Sequence, residues 1–202
     1  MRKILSIAVT CVLFGGSVTV LAAGDNATGK QKSATCAACH NADGNSANPQ
    51  WPKLANQHAS YTVKQLNDYK AGNRTNPIMS GMAAPLSQQD MEDLAAYFAS
   101  QKITRSQADP TLVALGEQIF RGGNLTSGVS ACTACHGPNG AGNPQAGFPA
   151  LAGQHAEYTE MQLRVFRSME RANDAGQMMR NIAMKMTDAE IKAVASYIQG
   201  LQ

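Results

Sequence analysis

Beyond residues 1–22 the chain contains no apolar run approaching the roughly 20 residues that a transmembrane helix needs. Aromatic residues make up 5% of it, with one Trp, so a unit of about 90 residues has little core of its own. Cysteine is scarce outside two short motifs. Of the 5 in the chain, Cys11 lies in the leading apolar run and the other four sit in the motifs, so none is left for a separate disulfide or a free thiol. No residue set resembles a nucleophile–base pair or an acid–base carboxylate pair, which argues against chemistry on a substrate.

The leading segment reads as a cleavable secretion signal, with Arg2 and Lys3 as basic n-region, Ile4 to Phe14 as apolar h-region and Val20-Leu21-Ala22 as cleavage site. The mature chain is then expected to begin at Ala23. A retained anchor is the competing reading, and Ser6, Thr10, Gly15, Gly16 and Ser17 interrupt the run it would need. Losing Arg2 and Lys3 takes 17 basic residues to 15 against 14 acidic ones, a net charge of +1. That balance gives no support for nucleic-acid binding or for strong docking to an acidic surface.

What is present is a pentapeptide that occurs twice, Cys36-Ala37-Ala38-Cys39-His40 and Cys132-Thr133-Ala134-Cys135-His136. Cys-x-x-Cys-His is the attachment signature of c-type haem. Two thiols three residues apart on a helical turn each reach one vinyl group, and the adjacent His offers its imidazole to the iron. The other uses of Cys-x-x-Cys are less well matched. Structural zinc sites space their pairs by roughly 12–20 residues, whereas Cys39 and Cys132 have 92 residues between them. Zinc also gives no reason for a His directly after each second Cys. A thioredoxin-like pair needs a βαβ setting that is missing. A disulfide within each motif stays open as an alternative.

The repeat extends well past the pentapeptides, which are offset by 96. Pro52 to His58 corresponds to Pro149 to His155, Tyr61 to Tyr158, Gln65 to Gln162 and Arg74 to Arg171 at an offset of 97, and Tyr97 to Tyr197 at 100. This is a tandem duplication with small loop insertions in the second copy, and two long units are too few for a solenoid. Each copy reads as helical. Ser87-Gln88-Gln89-Asp90 and Thr187-Asp188-Ala189-Glu190 start helices with capping-box-like patterns. Met91, Leu94, Tyr97 and Phe98, and likewise Ile191, Val194, Tyr197 and Ile198, then follow at helical spacing. Middle helices are expected over Ala59 to Ala71 and Ala156 to Arg171, and leading helices over Ala27 to Ala34 and Leu112 to Phe120. Strand alternation is not convincing anywhere. The polar stretch Gln101 to Pro110 reads as a linker, which gives a signal peptide at 1–22 and units at 23–104 and 105–202.

The second axial ligand is chosen by the repeat. Met is the usual filler of helical cores, so most of the 10 are expected to be packing. Met79 and Met179 both lie eight residues before a helix N-cap, Ser87 and Thr187, whereas Met82 matches Ile182 and Met184 matches Ala84. Equivalent sites need equivalent ligands, which selects Met79 and Met179. The repeated His58 and His155 are the rival pair, and each could equally cap a helix or bond a carbonyl. Pro52 and Pro149 follow the motif His residues by 12 and 13 residues. Their carbonyls are candidates to accept the second imidazole N–H of His40 and His136, and simple loop punctuation is the alternative.

With these residues in view, the chain resembles the cytochromes c4, the di-haem family built from two class I cytochrome c domains. The carriers are Cys36 to His40, Asp43-Gly44-Asn45-Ser46, Phe120-Arg121-Gly122-Gly123, Phe148-Pro149-Ala150-Leu151, Gly153-Gln154-His155 and Ser196 to Leu201. The resemblance implies an all-α fold with two covalently bound haem c groups, held by Cys36, Cys39, Cys132 and Cys135. It also places the axial ligands at His40, Met79, His136 and Met179. It implies a periplasmic electron carrier, not an enzyme, soluble or loosely attached to the inner membrane. Its redox partners would be a quinol-oxidising complex or other donor and a terminal oxidase or reductase. The alternatives are a di-haem peroxidase or the cytochrome subunit of a periplasmic dehydrogenase. Asn56 departs from the pattern, since the second copy has Gly153 there.

Overall fold

Each half of the chain closes on itself by packing its first helix across its last. The structure, a computed structural model, describes residues 24–201, so the expected signal peptide lies outside the described residues. In the first half, α1 (Asn26–Lys32) crosses α5 (Gln88–Ala99), and in the second, α6 (Val113–Gly122) crosses α10 (Asp188–Gly200). A buried glycine sits at each crossing. A Cβ on Gly29 would lie 2.0 Å from the Asp93 carbonyl oxygen, and one on Gly116 would lie 2.3 Å from that of Ala193. Only glycine lets the two backbones approach so closely.

The closing helices begin as expected. Ser87 Oγ accepts from the Asp90 amide while the Asp90 carboxylate accepts from the Ser87 amide, and Thr187 and Glu190 repeat the arrangement. Each box satisfies donors that the helix start would otherwise leave unpaired. The middle helices α3 (Ala59–Ala71) and α8 (Ala156–Arg167) pack against α5 and α10. α8 is shorter than expected. It stops at Arg167, and two residues on Met169 turns left-handed with φ of 67°, so that Arg171 leaves the helix.

Two short helices were not legible in the sequence pattern, α4 (Pro77–Ala83) and α9 (Met178–Ala183). Asn76 starts α4 by accepting from the amides of Ile78 and Met79, with Pro77 in the first turn, where its missing N–H costs nothing. The motif Cys and His residues lie on α2 (Ala34–His40) and α7 (Thr133–His136), with Cys132 as the N-cap of α7. The β structure among the described residues is two isolated antiparallel bridges, Asn124 with Val129 and Asn143 with Phe148. Both fall in loops of the second half.

The buried apolar clusters are small. The first half groups Leu94, Tyr97 and Phe98, with Cys36, Leu54 and Leu86 packed against them. The second half is better filled, with Ile119, Phe120, Leu163, Met186, Ile191, Val194 and Ile198 among its members.

The halves meet through polar side chains. Among the described residues all the helix–helix packing is within a half, and the contact between halves is made by long side chains and the loops after α2 and α7. Arg74 donates to Gln65, Tyr158 and Gln162, and Arg171 donates to Gln162, Tyr61 and Gln65. Both guanidiniums are 7% exposed, and they stack on Tyr69 and Phe166 with 4.7 and 4.4 Å to the ring centroids. The exchange of bonds follows a pseudo-two-fold relation that the sequence repeat already contains. The linker is pinned at both ends. The Thr104 amide donates to Asn45 Oδ1 in the first half, and Gln199 Nε2 donates to the Gln107 carbonyl in the second.

Candidate functional site

The two pentapeptides form two equivalent constellations. In the first, α2 carries both Cys residues and ends on His40, and in the second, Cys132 is the N-cap of a single-turn helix that holds Cys135 and ends on His136. All four thiols are free, so the disulfide alternative is not what the structure shows. Burial pushes the Cys132 thiol up to about 11 and raises that of Cys36, which is unlike a reactive redox thiolate. Nor is zinc supported, because no three His, Cys, Asp or Glu side chains among the described residues are grouped to hold a metal ion.

His40 and His136 are each 6% exposed. Their Nδ1–H groups donate to the carbonyls of Pro52 at 2.8 Å and Pro149 at 2.9 Å. Of the two readings of these prolines, the acceptor role is the one observed. That bond fixes the ring orientation and the tautomer, leaving Nε2 unprotonated as a metal ligand requires. Burial lowers the proton affinity of both imidazoles, against a smaller opposing effect of the proline carbonyls, and so favours the neutral ring.

The methionines separate by location. Met82, Met178 and Met184 are exposed, and Met186 is in the core of the second half. Met79 and Met179 are half-buried on α4 and α9, and Met179 packs beside the core cluster that also contacts Cys132. The Met179 segment is fastened by an ion pair, Arg180 Nε donating to Asp174 Oδ1 at 2.7 Å, with the Arg180 amide on Oδ2 at 3.1 Å. Burial pushes the Asp174 carboxyl up, but its bonds to Arg180 outweigh that and hold it below its ordinary value.

His155 is engaged elsewhere. His155 Nε2–H donates to the Ser46 carbonyl at 2.9 Å, with Ser46 Oγ 3.0 Å away, so it bridges the two halves. His58 holds the equivalent place, but its buried Nε2 has no partner, and Gly142 stands where the first copy has Ser46.

One feature the sequence reading did not reach is a pair of glutamine clamps. Gln154 Oε1 accepts from the Lys53 amide at 2.8 Å while its Nε2 donates to the Lys53 carbonyl at 2.9 Å. Gln57 does the same with Ala150, at 3.0 Å for both bonds. Each clamp grips the residue directly after the proline that accepts from a motif His. The repeat of Gln-His in both copies was the available signal, but nothing in it named a partner in the other half.

The donor set fits covalently attached haem. Each half supplies two unpaired thiols three residues apart and a buried imidazole with Nε2 free, beside a small apolar cluster. Comparison with known proteins agrees. The cytochrome c family profile matches twice, over residues 27–102 and 113–202. Cytochrome c4 of Pseudomonas aeruginosa is 53% identical over 181 residues, covering 89% of this chain and 90% of that protein. The thiosulfate dehydrogenase electron acceptor of Thiomonas intermedia is 36% identical, covering 98% of this chain and 90% of that protein. The crystal structure of reduced recombinant cytochrome c4 from Pseudomonas stutzeri superposes with a TM-score of 0.87 at 52% identity, covering 89% of this chain and all of that one. With two matching constellations in two matching halves, the chain belongs to the cytochrome c4 family, an all-α tandem of cytochrome c domains with two covalently bound haem c groups and a role in electron transfer.

Proposed function

We propose that this protein is a periplasmic one-electron carrier whose two units, 23–104 and 105–202, hold one haem each. Cys36 and Cys39 fasten the first ring and Cys132 and Cys135 the second, with His40 and Met79, and His136 and Met179, as axial pairs. When bound, haem c supplies an iron that cycles between Fe(III) and Fe(II). The protein's part is to hold the imidazoles in one tautomer, keep them dry, and present a thioether opposite. Met/His ligation favours a higher potential than bis-His ligation. The engagement of His155 with Ser46 supports that choice, since its Nε2 is already committed. Donor and acceptor are read as a quinol-oxidising complex and a terminal oxidase or reductase.

The observation that carries this reading is the equivalence of the two half-buried methionines on α4 and α9. The long-wavelength sulfur-to-iron charge-transfer band of the oxidised holoprotein tests it. Met79→Ala and Met179→Ala are each expected to remove about half of the band and lower one potential, while Met82→Ala changes neither. Loss of the band in Met82→Ala with retention in Met79→Ala overturns the assignment.

A second reading has specific support in the relative named as an electron acceptor of thiosulfate dehydrogenase. The carrier then serves a periplasmic dehydrogenase, and co-purification with that catalytic partner distinguishes it. A peroxidase requires an axial position open to peroxide, and the assignment of Met79 and Met179 as second ligands speaks against it. Both oxidised haems being six-coordinate and low-spin is the expected result, and a high-spin haem would revive the enzyme reading.

A further inference from the structure

We propose that the two glutamine clamps are crossed positioning devices, Gln154 of the second unit tuning the iron of the first through His40, and Gln57 of the first tuning the iron of the second through His136. The inference rests on the axial reading of His40 and His136 given above.

The connection is short. The carbonyl of Pro52 and the amide N–H of Lys53 belong to one peptide group. His40 Nδ1–H donates to that carbonyl at 2.8 Å, and the N–H on the other side donates to Gln154 Oε1 at 2.8 Å. The second unit repeats it. His136 Nδ1–H donates to the Pro149 carbonyl at 2.9 Å, and the Ala150 N–H of the same peptide donates to Gln57 Oε1 at 3.0 Å. Each motif His is therefore two hydrogen bonds and one peptide from a side chain of the other unit.

The direction of the effect follows from how a peptide polarises. Donation by the N–H draws density toward the carbonyl oxygen, making it a better acceptor, and chained hydrogen bonds strengthen one another in a dry setting. Lys53, Gln154 and His155 are all buried. A stronger acceptor gives His40 more imidazolate character, and a more basic imidazole stabilises Fe(III) over Fe(II). Docking of the units then lowers both potentials, each through the other unit's glutamine.

The amide orientation needed for this is fixed by the surroundings. Gln154 Oε1 also accepts from the His155 amide, and Gln57 Oε1 from the His58 amide, both at 3.0 Å. Each Oε1 thus gathers two N–H donors while Nε2 faces a carbonyl, and flipping either amide would set N–H against N–H. The clamp residues need not be carried by the haem-binding half they serve, so a sequence comparison of one domain alone does not expose them.

The test uses the full-length holoprotein with Gln154→Met and Gln57→Met, which preserve bulk and remove both bonds. Tyr158→Phe serves as the control, removing the bond from Arg74 across the interface at 3.0 Å without touching either peptide. The two potentials are titrated and assigned to each haem by its hyperfine-shifted ligand resonances, in protein carrying labelled histidine nitrogens. Gln154→Met is expected to raise the potential of the first-unit haem severalfold in its Fe(III)/Fe(II) equilibrium, up to about tenfold or about 59 mV, and to change the His40 ring resonances. Gln57→Met does the same to the second. Equal shifts of both haems in both variants, or in Tyr158→Phe, would show simple loosening of the units and overturn the proposal. So would unchanged potentials. Hyperfine-shifted rings on His58 and His155 in place of His40 and His136 would instead show that the axial reading itself is wrong.

Discussion

Arg74 of the first unit donates from Nη2 to the hydroxyl of Tyr158 in the second at 3.0 Å, and it does so without a carboxylate beside it. Burial works against the charged guanidinium, yet Tyr158, Tyr69 and Tyr61 hold it above its ordinary proton affinity. Burial likewise pushes the Tyr69 phenol up to about 12. The cation is therefore kept by polar and aromatic neighbours alone.

Arg74→Ala strips donors from Gln65, Tyr158 and Gln162 together. Bonds to charged groups contribute about 1.5–3 kcal/mol each and are not additive, so a loss of about 2–4 kcal/mol is expected. Denaturant unfolding of the holoprotein should separate into two transitions as the units uncouple. A single transition at the wild-type midpoint would show that the contact contributes nothing.

Acid should act on one site before the other. Asp174 has a folded pKa below its unfolded value, so the unfolded chain takes up the proton first. The stabilisation it provides is fully present above the ordinary carboxylate range, about 3.9, and is lost as pH falls through the folded value. In the first unit the equivalent segment is capped by the neutral Asn76, whose side chain accepts from Ile78 and Met79. Acidification is therefore expected to release the Met179 segment first, seen as loss of half the sulfur-to-iron band. In Asp174→Asn the two sites should no longer separate with pH.

Gly116→Ala places a Cβ 2.3 Å from the Ala193 carbonyl oxygen, where only backbone movement relieves the overlap. Overpacking of this kind costs about 1–3 kcal/mol or more. In the Arg74→Ala background the thermal midpoint of the second unit should fall, while Gly81→Ala, whose Cβ meets nothing within 4 Å, leaves the first unit unchanged or firmer.

Ser87→Ala removes the box that starts α5, and the cost expected for an N-cap of this kind is about 1 kcal/mol. Urea unfolding in the Arg74→Ala background, where the two transitions separate, reports it as a lower first-unit midpoint, and the second unit, capped by Thr187, should not move.

The parts of the structure legible in the sequence are those with local causes. Cys36 to His40 states its own chemistry, and Ser87 with Asp90 states a helix start within four residues. The proposed axial pair Met79 and Met179 could be selected only because the chain supplies its own second copy. The interface was not legible, because Gln154 and Lys53 are 101 apart in sequence and Gln57 and Ala150 are 93 apart. No short pattern encodes such a meeting. The end of α8 was missed for a related reason, since Met169 turns left-handed to deliver Arg171 to partners in the other unit.

The crossing of α1 by α5 also bears on how the protein is assembled. Asp25 and Asp93, which bond across that crossing, are 68 residues apart, and the crossing closes over a motif that lies between its two ends. A chain emerging from its N-terminus therefore displays Cys36 and Cys39 unenclosed until about the hundredth residue has appeared, a loop whose closure entropy grows only slowly with length. Closure of each unit thus waits on its last helix, α5 in the first and α10 in the second.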